Sequence, residues 1–87
     1  MPTPRNVTKS HVTRVSKAAR IAFGQQVRLA RERLGWSQTV LAKAVGTDQP
    51  YISAIERGLP NSTIDGMAKI AAALGVELQV LLPLPQG

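Results

Sequence analysis

Two short helical patterns lie back to back between Ser37 and Gly58, with only Gly46-Thr47-Asp48 between them. So short a link forces the second helix to leave at a steep angle to the first. The first pattern opens at Ser37, which has the hydroxyl of an N-cap. It places Leu41, Ala42 and Val45 on one side and Gln38 and Lys43 on the other. Gly46 ends it, because the turn asks for a positive φ that a Cβ resists. Asp48 or Gln49 caps the second pattern. Pro50 falls in its first turn, where a missing N–H does no harm. Ile52 and Ile55 point inward, and Gly58 and Pro60 stop the helix. Ala42 and Val45 are small enough for the two helices to cross closely.

The flanks supply more helix. From Lys17, the residues Phe23, Val27, Ala30 and Leu34 recur on one helix face, opposite Gln26, Arg28 and Arg33. Gly35 sits where a C′ residue belongs. Asn61 or Ser62 caps a fourth helix with a broad apolar face of Ile64, Met67, Ala68, Ile70, Ala71 and Leu74, closed by Gly75. Residues 76–82 are ambiguous. Val76, Leu78, Val80 and Leu82 alternate like a strand, while Leu78, Leu81 and Leu82 equally suit one side of a short helix. The extended reading is preferred, since no good N-cap precedes the segment and Val and Leu dominate it. Pro83 and Pro85 end it. The expected fold is all-α, a compact bundle of four to five helices whose C-terminal segment is a short helix or a strand. Residues 1–16 read as a flexible basic arm, 17–82 as the domain, and 83–87 as a tail.

Composition enters at two points. Aromatics make up only 3% of the 87 residues, so the core is aliphatic. The net charge is +6. Five cations (Arg5, Lys9, Arg14, Lys17, Arg20) and no acid lie in residues 1–20, leaving six cations against five acids in the rest. A basic arm on a near-neutral domain points to a polyanionic partner, most often nucleic acid. The acid-free, Arg-bearing start also fits a transit peptide, though its apolar face is thin.

The central segment is the helix-turn-helix arrangement, whose second helix enters the major groove of DNA. Gly35-Trp36-Ser37-Gln38, Leu41-Ala42, Val45-Gly46, Ile52-Ser53, Ile55-Glu56-Arg57-Gly58 and Ala73-Leu74-Gly75-Val76 together resemble the Cro/CI phage-repressor family, also called the XRE family. The resemblance spans about residues 21–82. It implies a lambda-repressor-like, five-helix domain that binds palindromic double-stranded DNA as a homodimer. It implies that Gln38 meets a DNA phosphate and that Gln49 is the first base reader, suited to adenine N6 and N7. Tyr51 and Ser53 match outward, base-contacting positions. Arg57, Asn61 and Lys43 are expected at the DNA backbone, and Arg5, Lys9, Arg14 and Lys17 bring the arm to DNA. Pro50 and Ala54 stand where relatives often carry polar readers, so shape readout gains weight. Arg31 and Glu56 match a structural ion pair. Trp36 replaces a more usual Leu.

Other chemistries lack material. Without Cys there is no disulfide, thiolate or sulfur-ligated zinc. The one histidine, His11, lies in the arm, so a triad with Ser37 and Asp48 is not credible. Isolated glycines form no phosphate loop. No metal, cofactor, enzymatic activity, membrane span or secretory signal is expected. The setting expected is cytoplasmic, in a bacterium or phage. Leu78, Val80, Leu81 and Leu82 are the expected dimer interface, with closure of the monomer's own core as the competing role. The main function expected is an autoregulating repressor. The alternatives are a HipB-like antitoxin holding a toxin, carried by the strand-like ending, and a restriction-modification controller, carried by Tyr51-Ile52-Ser53 and Ile55-Glu56-Arg57-Gly58.

Overall fold

In a computed structural model, residues 15–59 and 63–81 are described, and within them the chain forms five helices. These are α1 (Lys17–Arg33), α2 (Gln38–Val45), α3 (Gln49–Glu56), α4 (Ile64–Leu74) and α5 (Leu78–Leu81). The core gathers Phe23 and Val27 from α1, Leu41 and Ala42 from α2, and Ile52 and Ile55 from α3. Met67, Ile70, Ala71 and Leu74 from α4 and Leu81 from α5 complete it.

Each of the first four helices starts on a side-chain oxygen. Ser16 accepts from the Ala19 amide, Ser37 from Val40 and Asp48 from Tyr51. These caps satisfy amides that have no partner inside the helix. At α4 the cap is Thr63, accepting from Gly66 at 3.1 Å, and not Asn61 or Ser62. Ser/Thr/Asn clusters offer several equivalent caps, and the sequence does not rank them.

The α1 stripe also departs from expectation. It runs Phe23, Val27, Arg31 and then leaves the helix. Leu34 is the C-cap and is 47% exposed. Gly35, at φ +72°, reverses the chain, so Trp36 rather than Leu34 packs against the core. Ile64 and Ala68, expected on the apolar face of α4, are exposed as well. The buried stripe of α4 is the narrower set Met67, Ile70, Ala71 and Leu74.

Two glycines let α1 lie against the C-terminal end of α3. A Cβ at Gly24 would overlap the Ile55 carbonyl oxygen and stand 2.8 Å from that of Glu56. A Cβ at Gly58, whose φ is +72°, would stand 2.8 Å from Ile21 Cγ1 and 2.9 Å from its Cα. Backbone here approaches backbone, and only hydrogen fits between them.

The segment after Gly75 is helical, which overturns the preference for an extended ending. A lone strand in an all-α domain has no partner for its backbone groups. As a helix, the segment puts Leu78 and Leu81 on one side. Leu81 is fully inside the core and Leu78 half-buried against it, while Val80 is 59% exposed. Leu81 therefore closes the monomer's own core, the role that competes with the interface. Of the expected interface, Val80 alone is strongly exposed among the described residues, and Leu82 lies outside them. Val15, placed in the arm on sequence, is buried in the core, and Ser16 caps α1. These two residues are built into the domain.

Candidate nucleic-acid interface

The α2–α3 pair is turned by Gly46, at φ +89°, whose amide and that of Thr47 both bond the Ala42 carbonyl at 2.9 Å. This leaves Gln38 at the head of α2 and Gln49 at the head of α3, and their side chains meet. Gln49 Nε2 donates to Gln38 Oε1 at 2.6 Å, and Gln38 Nε2 donates to Glu56 Oε1 at 3.0 Å. Arg31 Nε and Nη2 donate to the two Glu56 oxygens at 2.6 and 3.0 Å, and Nη1 donates to the Trp36 carbonyl at 2.8 Å.

The chain of contacts thus runs from an exposed amide at the α3 tip to a buried, forked ion pair between α1 and α3. The Arg31 and Glu56 side chains are only 11% and 5% exposed. The bond to Glu56 holds the Arg31 guanidinium above its ordinary pKa, against the opposing effect of burial. Every buried side-chain polar atom among the described residues has a partner. A buried pair of this kind is sound only when so satisfied. Sequence placed Arg31 with Glu56 but did not show that Gln38 and Gln49 are attached to them. Their spacing of eleven residues has no local meaning, and only the turn brings them together.

At 100° per residue, the outward face of α3 is centred on Pro50, Ser53, Ala54 and Arg57, with Gln49 at one edge and Tyr51 at the other. Gln49 is exposed, and its oxygen and one N–H remain unspent beyond the Gln38 bond. Ser53 is half-buried. Arg57 is exposed, with Nε bonded to the Ser53 carbonyl at 3.3 Å. Tyr51 is half-buried against the core, and its hydroxyl lies beside Gly66 at the head of α4. Lys43 is exposed on α2, and Lys17 is exposed as the first residue of α1. Asn61, Arg5, Lys9 and Arg14 lie outside the described residues. The structure adds Gly24, whose only signal in sequence is a lone glycine inside a strong helix. None of the described helices is long and apolar enough to cross a membrane.

Two short helices crossing at a glycine turn, the second with a polar tip exposed and its far end locked, define a helix-turn-helix protein. The family model described as helix-turn-helix matches residues 27–81. The chain belongs to this family, and within it to the Cro/CI, or XRE, type.

A hypothetical transcription factor of Neisseria meningitidis is 43% identical over 67 residues, covering 77% of this chain and 63% of the relative. The crystal structure of a hypothetical transcription factor from Neisseria matches with a TM-score of 0.72 at 39% identity, over 85% of this chain and 86% of that one. The control protein C.BamHI of Bacillus amyloliquefaciens is 44% identical, over 72% of this chain and 79% of the relative. The restriction-modification controller C.AhdI of Aeromonas hydrophila matches with a TM-score of 0.70 at 37% identity, over 75% and 98% of the two chains. SinR, described as the master regulator for biofilm formation, is solved in complex with DNA. It matches with a TM-score of 0.62 at 35% identity, over 68% and 95%. The matched part spans less than two thirds of the Neisseria relative's own length. These relatives are regulators rather than enzymes.

Proposed function

We propose that this chain is a transcriptional regulator that binds double-stranded DNA sequence-specifically, and that it acts as an autoregulating repressor on a palindromic operator. The observation that carries the reading is the exposed Gln49 amide at the tip of α3, steadied by Gln38. An amide with one acceptor and one donor unspent fits adenine N6 and N7, at about 1–3 kcal/mol of discrimination. Ser53 supplies a second short polar contact. Tyr51 reaches the groove only by its edge, because its hydroxyl is turned toward α4. Gln38, Lys43, Arg57 and Asn61 meet phosphates, and the cations of residues 1–17 add sequence-independent contacts. With Pro50 and Ala54 on the outward face, much of the specificity comes from DNA shape. No metal or cofactor has a role in this reading.

The unit acts as a homodimer, because one recognition helix covers one half-site and paired half-sites lie about one helical turn apart. Val80 is the residue to test for the interface. Val80→Asp is expected to shift the mass in light scattering from dimer to monomer with the fold retained. An unchanged dimer mass would move the interface elsewhere.

A restriction-modification controller is the second reading, supported by the likeness to C.BamHI and C.AhdI. The antitoxin alternative rested on a strand-like ending, and that ending is a helix. The testing experiment is an anisotropy titration against the gene's own upstream duplex and a scrambled duplex at several salt concentrations. A large affinity ratio that survives about 150–200 mM salt supports an operator and autoregulation. Equal, salt-sensitive binding to both duplexes would overturn the sequence-specific reading.

A further inference from the structure

The outward face of α3 is divided lengthwise. At about 100° per residue, Gln49 and Ser53 fall on one side of its midline, while Pro50 lies at the midline and Ala54 beyond it. The first two side chains carry an amide and a hydroxyl. Those of Pro50 and Ala54 carry only C–H groups. Pro50 is exposed and Ala54 half-buried, and neither belongs to the core or to the apolar residues packed against it. Standing four positions apart, they are neighbours on one strip of the helix surface. The first turn of a helix ordinarily presents free N–H groups. Pro50 has none to present, so the strip is apolar at its backbone as well as at its side chains. Core packing does not account for this strip.

The major-groove edges of the base pairs are marked by hydrogen-bond donors, by acceptors and by one apolar group, the C5-methyl of a pyrimidine, which side chains read by apolar contact. We propose that Pro50 and Ala54 are a specificity-determining pair that takes such a methyl, from thymine or 5-methylcytosine, beside the base pair read by Gln49. The inference rests on the DNA-binding function proposed above. It adds a direct reading, free of hydrogen bonds, to the reading of shape. Burying one methyl against the strip is worth about fourfold in affinity.

The test uses the duplex that the full chain enriches from a random pool, with affinities read by anisotropy. Replacing every thymine by deoxyuridine removes the methyls and keeps all base-pairing groups. It is expected to weaken binding by about four- to fifteenfold, for one or two methyl contacts. Pro50→Ser together with Ala54→Ser is expected to lower that ratio to less than about twofold, with the helical circular dichroism retained. If the double variant does not fold, each single substitution carries the cycle and is expected to lower the ratio in part. A scan of single thymines then locates the sensitive base pair. There, cytosine is compared with 5-methylcytosine. Affinity regained on methylation means that the pair takes the methyl from either base, and no recovery means that it takes thymine alone.

An enriched duplex whose binding ignores the thymine methyls would overturn this proposal and leave the sequence-specific function standing. A thymine-to-deoxyuridine ratio that survives both substitutions would also overturn it, since the methyl would then act through DNA shape or another residue. Failure of the unsubstituted chain to enrich any sequence would instead sink the sequence-specific function, and this inference with it.

Discussion

At its C-terminal end, α3 is pressed against α1 through Gly24, forked to Arg31 through Glu56, and followed by Gly58 under Ile21. At its N-terminal end it has a cap from Asp48, a proline in its first turn and a glutamine whose one partner is another glutamine. One end is fixed by backbone contact and a desolvated ion pair; the other is solvated and held by the Asp48 cap and one side-chain hydrogen bond. A short helix that must present side chains to a ligand needs both conditions. Eight residues alone are too few to form a stable helix. The orientation of α3 therefore comes from the buried end, and the exposed end is left to carry chemistry.

That contrast breaks most readily at Glu56. Glu56→Ala leaves the Arg31 guanidinium buried without its carboxylate and removes the anchor of Gln38. It is expected to cost about 3–5 kcal/mol in urea denaturation. Gly24→Ala is expected to cost about 1–3 kcal/mol, because backbone faces the new methyl group and cannot yield as a side chain would. If either variant keeps the wild-type midpoint, the buried end does not govern the placement of α3.

At the other end the expected pattern reverses. Gln49→Ala should leave the denaturation midpoint within about 0.5 kcal/mol of wild type. The same change should weaken binding to the upstream duplex by about 1–3 kcal/mol, measured by anisotropy. Asp48→Ala removes the cap and should cost about 1 kcal/mol of stability. Arg28→Ala, which breaks only an exposed pair with Glu32 on α1, should cost no more than about 0.5 kcal/mol and sets the floor of the series.

The same division governs what was legible in sequence. Local chemistry read well. The cap at Ser37, the narrowing of the next cap to Asp48 or Gln49, the breaks at Gly35, Gly46 and Gly75, and the pairing of Arg31 with Glu56 all rest on residue type at short spacing or on a strong family pattern. Where several residues share one chemistry, the choice failed, as at Thr63 against Asn61 and Ser62. Where tertiary closure decides, the pattern misled. Val76, Leu78 and Val80 alternate like strand residues, yet the segment folds as a helix and Leu81 fills the core, because the domain leaves an unpaired strand no partner. Leu34 continues the α1 period but falls one residue past the helix. The Gln38–Gln49 contact depends on how helices cross, and no periodicity reports that. Gln49 and Arg57, read as outward residues of this segment, are exposed there. Tyr51, the only tyrosine, reads in sequence either as a groove contact or as half-buried packing, and it leans on the core.

The bond between Gln49 and Gln38 has a thermodynamic consequence. A long, mobile side chain that must order on contact sacrifices about 0.5–1.5 kcal/mol of affinity to rotamer entropy. Here that freedom is already reduced before any ligand arrives, because the Gln49 amide is bonded to a neighbour that is itself bonded to Glu56. Recognition then begins from an amide plane that is already oriented. Removing Gln38 would leave the Gln49 side chain intact and still weaken its grip, adding an entropic loss to that of the phosphate contact proposed for Gln38.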